Sequence, residues 1–161
     1  MTLRIRPLDP GDTQPVVDLA LRAWAPVFAS SRAILGDLIF ERLHGDWREY
    51  QERAVRAELV ADGVRCWVAE VDGTVAGFVT VAVADPVRRI GEVGMIAVDP
   101  DQQNLGVGLA LTDFAVARIG EAGMQIAMIN TGGDEGHAPA RRVYEKAGFT
   151  QLPIVYEFKA L

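Results

Sequence analysis

The sequence predicts a single α/β domain, and three features carry that prediction. Apolar, β-branched runs flank Asp72-Gly73 between Val64 and Val83, and an Asp-Gly pair supplies the positive φ angles that a tight hairpin turn needs. A strand over Gly91–Val98, a helix with apolar spacing and a strand over Gln125–Asn130 make a crossover that builds a parallel pair. Helical spacing dominates the chain before the hairpin.

The elements of the N-terminal half follow from local patterns. Leu3–Pro7 alternates as a first strand, and the Pro-Gly-Asp-Thr sequence after it starts a helix that we predict to end near Phe28. Helical spacing returns at Ile34 and continues to Leu59. The Gly45-Asp46 pair predicts a break between two helices in that stretch.

The C-terminal elements carry equally local signals. Pro139 near the first turn and Gly148 just past the end bracket a short helix, and Phe149 after the glycine suits the hydrophobic contact of such a cap. Residues Ile154–Phe158 are rich in β-branched and aromatic side chains, so we predict a final strand there.

Length and composition predict one ordered globular unit. A chain of 161 residues can bury about 68–70% of its unfolded surface, so one core is enough. The content of 50% hydrophobic and 24% charged residues is typical of ordered proteins. No repeat or Gly/Ser linker interrupts the chain, so we place one domain over residues 1–161.

Charge and residue usage exclude several classes of function. The net charge of −6 disfavours a nucleic-acid or anionic-membrane surface and suits a cationic partner such as an amine. The first dozen residues lack a secretory signal and the run Val75–Ala84 is too short to span a bilayer, so a cytoplasmic location is expected. Cys66, His44 and His137 have no zinc-site spacing, so no metal is expected. The oligomeric state stays open, and a homodimer is compatible with the sequence.

The most informative segment is Gln103-Asn104-Leu105-Gly106-Val107-Gly108, since it lies between a strand and a helix. The first amides of a helix have no intrahelical partners, the helix dipole adds positive charge, and glycines let a phosphate approach the backbone. The third glycine of a dinucleotide loop is missing, and the chain has no Gly-Lys-Ser/Thr of a triphosphate loop. A pyrophosphate site and a plain turn before a helix are both compatible with this segment alone.

Gln103, Gly106 and Gly108 resemble the signature of the GNAT superfamily of acetyl-CoA-dependent N-acetyltransferases: Gln or Arg, two residues, Gly, one residue, then Gly or Ala. Met95–Pro100 resembles the central strand and turn of that family, and Ala140–Phe149 resembles its second conserved block. The order of elements matches the family along the whole chain. The resemblance implies a mixed, mostly antiparallel sheet with a splayed parallel strand pair, flanked by about four helices.

The resemblance further implies transfer of an acetyl group from acetyl-CoA, used as co-substrate, to a primary amine of a small molecule or peptide. In the family, the loop and helix start bind the CoA pyrophosphate through backbone amides, and the preceding strand binds the pantetheine arm. The cofactor contacts implied here are Ile96, Ala97, Val98, Gln103, Asn104, Leu105, Gly106, Val107, Gly108, Leu109, His137 and Tyr144.

The sequence departs from the family pattern in two ways. Asn104 and Leu105 lack the basic residue that often stands between the Gln or Arg and the first glycine. His137 stands where the second block often has asparagine. The imidazole can donate a hydrogen bond in place of that asparagine, or it can cap the helix at the surface.

Glu92 and Tyr144 are the candidate catalytic residues, because amine acylation needs a base for the amine and an acid for the departing thiolate. Family members with a glutamate base carry it eleven positions before the signature Gln, where Glu92 stands relative to Gln103. A solvated glutamate at a strand end explains Glu92 equally well. Tyr144 matches the tyrosine of the second block, which protonates the thiolate, and a packed aromatic ring is the alternative.

Three functions remain open at this point. An N-acetyltransferase is favoured. A module that binds acetyl-CoA as a sensor without turnover, or a nucleotide-binding domain unrelated to CoA, would use the same glycine segment. Fold resemblance does not distinguish an enzyme from a binding module, since function depends on the site.

Overall fold

Five strands form one mixed sheet whose spatial order follows the chain. The computed structural model describes residues 1–161. Neighbouring strands are antiparallel except for the last pair, which is parallel. The strands are β1 (Leu3–Pro7), β2 (Arg65–Val71), β3 (Thr74–Asp85), β4 (Ile90–Val98) and β5 (Ile126–Ile129). This sheet confirms the predicted fold class.

Four α-helices cover the two faces of the sheet, as predicted. They are α1 (Thr13–His44), α2 (Trp47–Leu59), α3 (Val107–Glu121) and α4 (Ala138–Lys146). Single 3₁₀ turns lie at Pro10–Asp12, Pro100–Gln102 and Glu135–His137. None of the helices has the length and apolar character that crossing a membrane requires.

The first helix is longer than predicted. It continues past Phe28 to His44, with a kink at Gly36, where φ is 74°. The continuation is stabilised by packing with α2: the Phe28 ring stacks on Trp47 with centroids 4.7 Å apart. The predicted break is confirmed, because Gly45 has a φ of 60° and the Asp46 carboxylate caps α2.

Two predicted turns are also confirmed. Asp72 and Gly73 join β2 to β3 with φ angles of 50° and 82°. Gly148 ends α4 with a φ of 88°, and the Phe149 amide donates to the Tyr144 carbonyl at 3.0 Å. The rings of Tyr144 and Phe149 lie edge to face, with centroids 6.1 Å apart.

The predicted final strand is wrong. Residues 154–158 form no strand, and the side chains of the last eleven residues are exposed. Ile154 is 68% exposed and Val155 is 82% exposed. A strand needs a neighbouring edge to satisfy its backbone groups, and this segment pairs with no strand, so its strand-like composition is not enough.

The core has two parts, one on each face of the sheet. Leu111, Ala115 and Ile119 of α3 pack with strand residues such as Val79 and Val93 on one face. The other face carries residues of α1 and α2 packed on Val68 and Phe78. This arrangement fixes β4 between helices that border both sides of the candidate site.

Candidate active site

A cleft opens where β4 and β5 separate. The parallel pairing ends at Val93 opposite Ile129, so the remainder of β4 has no strand on that side. The cleft has a volume of about 620 Å³. Its walls are Gly94–Val98 of β4, residues 23–27 of α1, the start of α3, the end of β5 and the cleft-facing side of α4. The splayed parallel pair expected from the sequence is therefore present.

A bulge in β4 lies at the start of this gap. Thr80 of β3 stands opposite two residues, Gly94 and Met95, because Val79 pairs with Ile96 and Val81 with Val93. The buried Thr80 hydroxyl accepts from the Met95 amide at 2.8 Å and donates to Glu58 Oε1 at 2.7 Å. A side chain at Gly94 would collide with the Glu58 carboxylate. The sequence analysis missed this network, although Gly94 within a strand is a signal for a bulge.

The end of the cleft near α3 has the geometry of an anion site. Gly106 takes a left-handed conformation with φ of 84°, and Ala110 makes the first helical bond back to Gly106. The amides of residues 107–109 therefore have no intrahelical acceptor. Gln103 Nε2 donates to the Val98 carbonyl at 3.2 Å and ties this loop to β4.

Cationic side chains at this cleft come from a different element than the signature loop. Arg142 and Lys146 of α4 line the cleft. The loop itself has no basic side chain, since Asn104 and Leu105 are uncharged. Sequence reasoning missed these two cations because α4 is more than thirty residues away along the chain.

Most of the predicted cofactor contacts meet in this one cleft. Leu105 is 47% exposed and Val107 is in the core, so neither side chain lines the cleft. The predicted contacts that line it are Ile96, Ala97, Val98, Gln103, Asn104, Gly106, Gly108, Leu109, His137 and Tyr144.

Glu92 lies just outside the lining of the cleft. It pairs with Ala82 and Met128 at the closed end of the β4–β5 gap. Asn130 Nδ2 donates to Glu92 Oε1 at 3.2 Å, and Asn130 itself lines the cleft. The carboxylate thus reaches the cleft through an amide that the sequence analysis did not single out.

Tyr144 lies in the wall formed by α4 and is 9% exposed. Burial raises the pKa of its phenol to about 12. The hydroxyl makes no hydrogen bond within the protein and keeps some exposed surface, and the residue lines the cleft. A neutral phenol in this position can donate a hydrogen bond to a group bound there.

His137 lines the same cleft, and a chain of hydrogen bonds fixes its ring. Its Nδ1 lies 2.5 Å from Asp134 Oδ1, and Ser30 Oγ of α1 donates to Asp134 Oδ2 at 2.5 Å. Burial raises the pKa of Asp134, but the bonds from Ser30 and His137 outweigh burial and hold that pKa below its usual range. Sequence reasoning missed Ser30 and Asp134, although the three-residue spacing of Asp134 and His137 beside two glycines was visible.

Comparison with known proteins shows similarity to acetyltransferases. A mycothiol acetyltransferase of Thermomonospora curvata is 37% identical over 111 residues, which are 68% of this chain and 36% of that relative. The chain thus spans well under half of the length of this curated relative. The family model described as acetyltransferase (GNAT) family matches residues 32–149.

Solved structures show the same fold. A ribosomal-protein-alanine N-acetyltransferase of Brucella melitensis superposes with a TM-score of 0.65 at 19% identity, over 99% of this chain and 100% of that chain. The PaiA N-acetyltransferase of Thermoplasma acidophilum, in complex with coenzyme A, gives a TM-score of 0.66 at 17% identity, over 93% and 91%. With the match over residues 32–149, the family resemblance carried by Gln103, Gly106 and Gly108 is confirmed, and the chain belongs to the acetyltransferase (GNAT) family.

Proposed function

We propose that residues 1–161 form one N-acetyltransferase domain, which transfers an acetyl group directly from acetyl-CoA to a primary amine of a small molecule or peptide. One observation carries the proposal: an anion-binding helix start and an unpaired stretch of β4 lie end to end in the same cleft. Family membership supports acetyl-CoA as the acyl donor. The acidic net charge supports a cationic amine over nucleic acid.

The elements along the cleft match the successive parts of acetyl-CoA. The pyrophosphate binds the free amides at the start of α3, with Arg142 and Lys146 alongside. The pantetheine arm then extends along Ile96–Val98, whose edge facing β5 is unpaired. Six residues separate Val98 from Glu92, a span of roughly 20 Å at ~3.3 Å per residue. The acetyl group is thereby placed near the bulge and Asn130.

The chemistry is divided between two side chains. Glu92 takes a proton from the ammonium form of the acceptor through a water beside Asn130, since its carboxylate does not border the cleft. The neutral amine attacks the thioester carbonyl, whose oxygen accepts from a β4 amide. The phenol of Tyr144 donates its proton to the departing thiolate.

The acceptor is proposed only as a class. The name of the relatives points to acetylation of mycothiol, but this chain covers 36% of the relative from Thermomonospora curvata. We propose a small, cationic primary amine that enters between α1 and the loop before α4, in a cytoplasmic enzyme. A homodimer is compatible with this arrangement.

Thermal unfolding with excess acetyl-CoA tests the binding half of the proposal, with NAD and ATP as controls. A ligand present at 100 times its Kd adds about 2.7 kcal/mol of stability, so acetyl-CoA alone should raise Tm. Thiol release is then measured with an amino sugar, a polyamine and a lysine peptide. Thiol release that depends on the added amine supports the function as an enzyme. Stabilisation without any release supports the sensor function, and no stabilisation removes both.

The Glu92→Gln variant tests the base. It should flatten the rise of the pH–rate profile relative to the wild type, while the Kd for acetyl-CoA stays constant. Glu157→Gln, an exposed change in the C-terminal segment, is the matched control. An unaltered pH profile in Glu92→Gln would exclude this residue from the mechanism.

A further inference from the structure

Ser30, Asp134 and His137 form a hydrogen-bonded chain that joins α1 to the turn before α4. The Asp134 carboxylate is bound on both oxygens: Oδ2 by Ser30 Oγ and the Gly136 amide at 3.1 Å, and Oδ1 by His137 Nδ1. The Asp134 side chain is 14% exposed and that of His137 is 23% exposed. The chain of bonds therefore lies inside the wall and ends at the cleft.

The backbone of the loop before α4 passes close to these side chains. A Cβ at Gly136 would lie 2.8 Å from Ser30 Cβ, and a Cβ at Gly132 would collide with the His137 ring. Arg141 Nη1 donates to the carbonyls of Gly132 and Asp134, each at 2.6 Å. Both glycines are thus required by close approach, and the loop fixes Asp134 in one position.

This arrangement orients the imidazole. Asp134 accepts from Nδ1–H, so the neutral ring carries its lone pair on Nε2. Nε2 makes no hydrogen bond within the protein and keeps some exposed surface, and the residue lines the cleft. The Asp134 carboxylate keeps its hydrogen bond to Nδ1–H when Nε2 takes up a proton, so the ring stays in position.

The acetyl transfer requires a group that moves a second proton. After Glu92 has made the amine neutral, attack on the thioester leaves one further proton on nitrogen, and the thiolate needs one. Burial raises the pKa of the Tyr144 phenol to about 12, whereas thiols ordinarily titrate near ~8.5. A phenol of this kind can donate to sulfur only if its own oxygen regains a proton promptly.

We propose that His137 carries the second proton from the amine nitrogen to the Tyr144 end of the cleft, and that Asp134 and Ser30 are its positioning residues. The N–C bond forms and Nε2 takes the proton of that nitrogen. The C–S bond then breaks with its electron pair on sulfur, sulfur takes the phenol proton, and the imidazolium restores it through water in the cleft. One proton moves from nitrogen to sulfur, and no other reactant is needed. The inference rests on the acetyl transfer proposed above.

The decisive variant is His137→Asn, because asparagine can hydrogen-bond to a cofactor but cannot take up and release a proton. It should lower kcat about 100-fold or more, while the KM and the calorimetric Kd for acetyl-CoA change less than about twofold. His137→Ala should lower kcat to a similar extent, and added imidazole should restore part of its turnover. These measurements use acetyl-CoA with the amine from the panel that turns over fastest.

The positioning residues are tested with Asp134→Asn and Ser30→Ala, with Glu135→Gln as control, since Glu135 is adjacent in the chain but exposed. Asp134→Asn should lower kcat at least about 10-fold at unchanged Kd, because the amide favours the wrong tautomer. Ser30→Ala should have a smaller effect of the same kind. The Tm of each variant shows that it is folded.

Three outcomes would overturn the inference. A His137→Asn enzyme with the kcat of wild type means that His137 only contacts the cofactor. If His137→Asn loses only affinity for acetyl-CoA, His137 likewise only contacts the cofactor. A wild-type protein without amine-dependent thiol release removes the acetyl transfer and the inference together, whereas the first two outcomes leave the transfer standing.

Discussion

The Met95 amide and the Thr80 hydroxyl are joined by a 2.8 Å hydrogen bond at the point where β4 leaves β5. The bond satisfies an amide that the bulge removes from the strand ladder. Because Thr80 also donates to Glu58, helix α2, strand β3 and the bulge are fixed together. The position of the unpaired β4 edge therefore depends on a threonine outside every motif of the sequence.

Replacing Thr80 with valine keeps the shape of the side chain and removes both bonds. The Met95 amide and the Glu58 carboxylate each lose a partner, so the free energy of unfolding should fall by about 1–3 kcal/mol. The KM for acetyl-CoA should rise, since the β4 edge shifts. Urea unfolding and steady-state kinetics measure the two effects.

Thr112→Val is the matched control for that change. Thr112 is also fully buried, but its hydroxyl donates only to the Gly108 carbonyl within α3. Removal of this hydrogen bond from side chain to backbone leaves no charged group unpaired. A loss of stability in Thr112→Val as large as that in Thr80→Val would contradict the role given to the bulge.

Gly106→Ala tests the anion site at the start of α3. Gly106 has a φ of 84°, a conformation that costs an alanine about 1 kcal/mol or more. The strained loop should bind acetyl-CoA less tightly, so the rise in Tm with added acetyl-CoA should shrink. Gly133→Ala, with open space around its Cβ and no positive φ, should leave that rise intact.

Tyr144→Phe should abolish most of the turnover and leave the fold unaltered. Loss of a general acid lowers kcat about 10²- to 10⁴-fold. The hydroxyl has no partner within the protein, so Tm and the Kd for acetyl-CoA should stay near the wild-type values. Normal turnover in Tyr144→Phe would show that Tyr144 is a packed aromatic ring only.

The raised pKa of Tyr144 also predicts a dependence of stability on pH. In the unfolded chain a tyrosine titrates near ~10, and in the folded protein burial raises the pKa to about 12. Between these values the folded state binds more protons, so the free energy of unfolding should fall as pH rises from 10 to 12. Urea unfolding across that range should show a shallower slope in Tyr144→Phe.

Replacement of Gly120 and of Gly91 with alanine should change the free energy of unfolding in opposite directions. Gly120 of α3 has open space for a Cβ, so Gly120→Ala should stabilise the protein by about 0.4–1 kcal/mol. A Cβ at Gly91 would lie 2.5 Å from Ile119 Cγ2, so Gly91→Ala should destabilise it by about 1–3 kcal/mol. Equal effects in urea unfolding would contradict the packing of α3 on β4.

Local chemistry accounts for the elements that the sequence predicted well. The turn at Asp72-Gly73, the cap at Gly148 and the start of α3 after Gly106 depend on residues adjacent in the chain. The prediction for α1 was too short because its continuation depends on Phe28 packing with Trp47 of the next helix. The strand predicted over residues 154–158 failed because strand composition does not supply a neighbouring edge.

By itself, the sequence determined the family, the order of elements as far as α4 and the glycine segment that we propose to bind the cofactor, since these depend on residues close together in the chain. The tertiary structure decided which side chains meet at the cleft. Ser30 and Asp134 are 104 positions apart and share a hydrogen bond, and Asn130 reaches Glu92 from the adjacent strand. Such pairings arise only when helices and strands pack into one core, because no local pattern encodes the distance between residues far apart in the chain.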